Sequence, residues 1–130
     1  MSDSPFAARA AGILLHVTSL PGPHGIGDFG PDAWRFVDWL ARAGQTLWQW
    51  LPTTPVGPGD SPYQSPSAFA GSPLMVALEP LVERGWLPAV TLPDTTFPAA
   101  RVDFPRVIPW RDAQLRRASA GFSARATAAD

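Results

Sequence analysis

The pattern that most restricts the fold of this chain lies in its first fifty residues. A run of apolar, partly β-branched residues, Gly12-Ile-Leu-Leu-His-Val-Thr-Ser-Leu20, ends in a Gly- and Pro-rich connection from Pro21 to Gly30. Pro31 follows at a position where a missing N–H costs nothing at a helix start, and Asp32 complements the positive helix N-terminus. Ala33, Phe36, Val37 and Leu40 then fall at i, i+3, i+4 and i+7, and Gly44 supplies a stop. A second apolar run, Thr46-Leu-Trp-Gln-Trp-Leu51, comes next. Strand, helix, strand in this order predicts a parallel βαβ crossover, and so an α/β fold.

The rest of the chain does not finish such a sheet. Pro52 to Pro73 is a loop several times longer than an ordinary strand-to-helix connection. Pro73–Glu79 reads as a strand or extended segment, Leu81–Gly85 as a helical turn closed by Gly85, and Leu87–Pro98 as a surface excursion. A last helix is expected from Pro109 to about Phe122. Trp110, Ala113, Leu115, Ala118 and Phe122 give it an apolar stripe, while Arg111, Arg116 and Arg117 face water. Trp34 and Trp39 are expected against the sheet, and residues 1–10 and 123–130 are expected to fray. Two or three strands of the buried kind need neighbours on both edges and cover on both faces. The remainder comes either from a partner or from a larger barrel or sheet of which this chain is part.

Charge and rare residue types exclude several classes of function. The net charge is −1 and the ten basic residues, all Arg, form no run, so there is no electrostatic case for nucleic acid. There is no cysteine, and His16 and His24 alone do not make a metal-ligand cluster. No stretch is long and apolar enough to span a bilayer, and the N-terminus lacks the apolar core of a secretory signal. A cytoplasmic protein without membrane, nucleic-acid, metal or cofactor partners is expected.

Ligands of parallel α/β sheets bind at the C-terminal ends of the strands, which here means the loops after Leu20 and after Leu51. The second holds Asp60, Ser61, Tyr63 and Gln64, then Ser65, Ser67 and Phe69, and is preceded by Trp48 and Trp50. A pyranose presents an apolar face of C–H bonds and a rim of hydroxyls. One aromatic platform with neutral or anionic hydrogen-bonding groups around it suits that shape. The same residues also suit a plain turn with Tyr63 packed into the core, and pattern alone leaves both readings open. His16 reads as a satisfied core histidine, and His24 as equally suited to surface or site. Glycoside chemistry needs two carboxyl groups held about 5 to 10 Å apart. Asp28 and Asp60 are the acidic residues of the two loops, and nothing marks them as such a pair, so no residue is assigned a catalytic role.

The segments GILLHVTSLPGPHGIGDFG, DSPYQSPSAFAGSP and RVDFPRVIPW together resemble the N-terminal part of amylomaltases, the 4-α-glucanotransferases also called disproportionating enzymes. The resemblance runs from about residue 11 to about residue 122. It implies the opening of a (β/α)8 TIM barrel, incomplete within residues 1–130. It also implies transfer of 4-α-glucan segments between maltooligosaccharides, or to glucose, by a retaining double displacement without a cofactor. The family's catalytic carboxylates lie downstream of this region, so residues 1–130 alone are expected to be inactive. Within the SPYQ motif, Tyr63 matches a tyrosine that stacks near the sugar adjoining the scissile bond, and Ser61 a serine that contacts substrate. Ser72 stands where the family usually has Asn, and Pro58 in a stretch where some relatives carry an aromatic residue of a second glucan site. The alternatives are a stand-alone glucan-binding module and a non-functional fragment.

Overall fold

The computed structural model describes residues 9–89 and 97–125. The expected crossover is present: β1 (Gly12–Leu14) pairs in parallel with β2 (Leu47–Gln49), and α1 (Pro31–Arg42) joins them. The register sets Gly12 opposite Leu47, Ile13 opposite Trp48 and Leu14 opposite Gln49. Gly12 is required there, because a Cβ would meet the Leu47 carbonyl oxygen at 2.5 Å. Among the described residues each strand pairs only with the other.

Both strands are shorter than the apolar runs suggest. One further ladder bond, Leu15 N–H to the Gln49 carbonyl at 2.9 Å, ends the pairing. Pro52 then denies β2 a donor, and Val17–Ser19 tightens into a 3₁₀ turn closed by Ser19 N–H to the His16 carbonyl at 2.9 Å.

Helix α1 runs as its cues dictate, with Pro31 in its first turn, Arg42 in its last and Gly44 at a φ of 71° just beyond. Ala33 and Leu40 are buried, and Phe36 meets Trp48 edge-to-face at 5.0 Å. Trp34 and Trp39 do not pack on the sheet. At about 100° per residue they fall off the Ala33–Phe36–Leu40 stripe, so Trp34 is 71% exposed and Trp39 lies outside, stacked on Phe36.

The expected strand at Pro73–Glu79 is a 3₁₀ turn, Pro73–Met75, followed by α2 (Glu79–Glu83). Proline opens the turn with its φ already set, and Met75 N–H returns to the Ser72 carbonyl at 3.1 Å. Gly85 closes α2 at a φ of 72°. Leu87 is buried, in a core with Leu78 and Ala118, so the surface excursion does not begin there; residues 90–96 lie outside the described residues. A second core gathers Ile26, Leu74 and Val107.

Helix α3 (Phe104–Arg125) extends past the expected span at both ends. Pro105 fits the first turn, and Pro109 is accommodated inside the helix without its N–H. The end does not fray at Gly121. Phe122 meets Trp86 edge-to-face at 4.9 Å, and Arg125 donates to the Gly85 carbonyl at 2.6 Å. The buried face of α3 is Val107, Arg111, Gln114 and Ala118, which corrects the placing of Arg111 in water. Arg111 is fully buried and donates through Nη2 to Asp28 Oδ2 at 3.0 Å and to the Val76 carbonyl. It thereby ties α3 to the loop that follows β1.

Candidate functional site

The loop after β2 folds its central segment into two successive 3₁₀ turns, Pro58–Asp60 and Pro62–Gln64. The Ser61 carbonyl accepts from Gly57 N–H at 3.0 Å and from Gln64 N–H at 3.3 Å, and Asp60 N–H returns to the Gly57 carbonyl at 3.0 Å. Ser61 Oγ accepts from Tyr63 N–H, and Thr54 Oγ1 donates to the Pro62 carbonyl, each at 3.3 Å. The crossing is so tight that a Cβ on Gly57 would overlap the Gln64 carbonyl oxygen. Gly59 and Asp60 both hold left-handed φ values, 68° and 58°, a conformation that Asp tolerates better than most residues.

This geometry gathers the four expected residues on one braced turn. Asp60 and Gln64 are exposed, Ser61 is half-buried, and the Tyr63 side chain is 70% exposed, so Tyr63 is not a core residue. Ser61 Oγ accepts one bond and keeps its O–H for a ligand. Beyond the turn, Ser67 Oγ accepts from Phe69 N–H at 3.3 Å and Ala70 N–H at 3.2 Å, holding a fully exposed Phe69. Trp48 and Trp50 are in edge-to-face contact at 5.1 Å, and Phe29 lies 6.0 Å from Trp50.

Asp28 and Asp60, the two loop carboxylates, have different surroundings. Asp28 is buried, and its Oδ1 accepts from Gly30 N–H at 2.9 Å while Oδ2 takes the Arg111 guanidinium. Burial pushes its carboxyl above the usual range, opposed by Arg111. Both oxygens are committed to holding the loop. His24 resolves toward structure as well, with Nε2 at 3.1 Å from Glu79 Oε1 and its ring 5.5 Å from that of Trp110. No group of three His, Cys, Asp or Glu able to hold a metal ion occurs among the described residues.

His16 departs from the expected satisfied core histidine. Its Nδ1 is buried and has no hydrogen-bond partner among the described residues, and burial lowers its pKa. It lines a cavity of about 200 Å³ between the loops that leave β1 and β2, together with Thr54, Asp60 and Ser72. The signal available in the sequence was its position at the C-terminal end of the first apolar run.

A family model described as 4-alpha-glucanotransferase matches residues 15–130. The 4-alpha-glucanotransferase of Thermus thermophilus is 50% identical over 119 residues, covering 92% of this chain and 23% of that protein. The chloroplastic/amyloplastic 4-alpha-glucanotransferase of Solanum tuberosum is 44% identical over 119 residues, covering 88% of this chain and 20% of that protein. Among solved structures, amylomaltase from Streptococcus agalactiae in complex with acarbose superposes with a TM-score of 0.85 at 38% identity, over 92% of this chain and 24% of that one. The chain therefore spans about a quarter or less of the length of these relatives. With a family match across most of its length and a shared fold over the same region, the chain belongs to the 4-alpha-glucanotransferase family.

Proposed function

We propose that residues 1–130 form the opening of a (β/α)8 barrel that transfers 4-α-glucan segments between maltooligosaccharides, or to glucose, by a retaining double displacement. In this reading the segment supplies part of the sugar site. Tyr63 offers a platform to the C–H face of a pyranose, while Asp60, Ser61 and Gln64 take its hydroxyls. The two carboxyl groups of the displacement come from outside residues 1–130, since Asp28 is consumed by Arg111 and Gly30. The reading needs no metal or organic cofactor.

The observation that carries the reading is the exposed Tyr63 ring on a turn braced from both sides, beyond the C-terminal end of β2. An aromatic ring left in water on a backbone this constrained is organised before any ligand arrives, which reduces the ordering cost of binding. Titration of maltotriose or acarbose, followed by tryptophan fluorescence, tests it. Covering roughly 60 Å² of ring at about 25 cal/mol/Å² is worth about 1.5 kcal/mol, so Tyr63→Ala should weaken binding about tenfold. Unchanged affinity in a folded Tyr63→Ala chain removes Tyr63 from the site. Glucose release from maltotriose by residues 1–130 alone would refute the placing of the carboxylates. A stand-alone glucan-binding module shares the binding result and differs in its independence from any further barrel segment.

A further inference from the structure

We propose that the cavity between the β1 and β2 loops is a second sugar pocket, sized for one neutral hexopyranose unit and using His16 to read a hydroxyl. The inference rests on the sugar reading above and extends it from the outer face of the Gly57–Gln64 turns to their inner face.

Four observations converge. The volume of about 200 Å³ has room for a single hexopyranose ring. The lining combines the hydroxyl-bearing residues Thr18, Thr54 and Ser72 and one carboxylate, Asp60, with an apolar wall that includes Leu51, Val56 and Phe104. It includes no arginine, so an anion finds no countercharge, whereas a polyol with one C–H face finds both kinds of surface. A buried imidazole nitrogen without a partner is costly unless a guest supplies one, and His16 Nδ1 is such a group. The neutral ring that burial favours carries one donor and one acceptor, the complement of a sugar hydroxyl.

Asp60 borders the cavity although its neighbour Tyr63 does not line it. Its left-handed φ of 58° places a carboxylate at that border in a conformation uncommon for a residue with a side chain. One turn thus presents two faces to sugar, an open aromatic one and a recessed one of mixed polar and apolar lining.

Saturation-transfer NMR titration of the 130-residue chain with methyl α-D-glucopyranoside and, separately, with maltotriose tests this. The expected result is that the monosaccharide binds and that His16→Leu weakens it at least tenfold. Ser72→Ala, which removes one buried hydroxyl with little change of shape, should weaken it as well, and decides the matter if His16→Leu does not fold. A folded chain that binds maltotriose but not the monosaccharide overturns the cavity proposal and leaves the Tyr63 site standing. So does monosaccharide binding that neither His16→Leu nor Ser72→Ala alters. A folded chain that binds neither sugar refutes the wider reading and this one with it.

Discussion

Replacing Arg111 by Met should be among the most damaging single changes in the chain, and adding Asp28→Asn should reverse most of the damage. Arg111 is fully buried, and its 3.0 Å bond to Asp28 joins two charges withdrawn from water. Removing one partner of such a pair leaves the other buried and uncompensated, at a cost of about 3–5 kcal/mol. For 130 residues, an unfolding entropy of roughly 2.1 cal/mol/K per residue makes each kcal/mol worth about 4 °C. Arg111→Met should therefore lower Tm by roughly 10–20 °C, a large share of a stability of about 5–15 kcal/mol. The double variant removes the stranded charge, while the amide oxygen of the introduced asparagine can still accept from Gly30 N–H. It also removes Arg111 Nε and Nη1, which are buried without partners among the described residues. Its stability should return to within about 1 kcal/mol of the native chain. Urea unfolding at neutral pH, comparing midpoints at constant slope, measures all three proteins. A loss below about 1 kcal/mol for Arg111→Met, or a double variant no better than the single, would refute the reasoning.

Two further predictions concern the loop and the titrating groups. Gly57→Ala should weaken maltotriose binding at least tenfold by prising Gln64 away, whereas Gly71→Ala, with nothing within 4 Å of the added Cβ, should change neither binding nor stability beyond about 0.5 kcal/mol; calorimetric titration and thermal unfolding of both variants check this. The half-buried His16 and the buried Asp28 should give stability two opposed limbs in pH. His16 is harder to protonate in the fold than its ordinary 6.5, so stability falls as pH drops through that value, because the unfolded chain takes the proton first. Asp28 holds its proton more tightly in the fold than its ordinary 3.8, so stability falls as pH rises above 3.8 toward the folded value. Urea midpoints across this range should show both limbs, with His16→Leu flattening the upper one and Asp28→Asn the lower.

What could be read from residues alone was whatever neighbours in sequence decide. Helix α1 announces itself because Pro31, Asp32, Leu40 and Gly44 each act within a turn of their own position. The parallel pair follows from its two apolar runs, though not its length, which depends on where Pro52 stops the partner strand. Helix α3 starts five residues earlier than expected because Pro105 and Pro109 argue locally for a later start, while Val107 is drawn into a core with Ile26 and Leu74. Arg111 was placed in water because a buried arginine is rare and its partner lies 83 positions away, outside any local pattern. The motif around Tyr63 was visible, but the exposure of its ring was not, since that depends on the Thr54 and Ser61 bonds that turn the loop outward. The state of His16 is hidden for a related reason: whether a histidine in an apolar run is satisfied depends on what the opposite loop brings to it.

The same 83-residue separation between Asp28 and Arg111 sets a timetable for the chain as it is made. The β1–α1–β2 segment is complete in sequence once Gln49 has emerged. At about 5–20 residues per second, Arg111 is added roughly 4–17 s after Asp28. Throughout that interval the glycine-rich loop after β1 lacks its Arg111 clamp. Birth order therefore separates strand from anchor: β1, α1 and β2 are made early, and the loop after β1 gains its tie only when the last helix arrives.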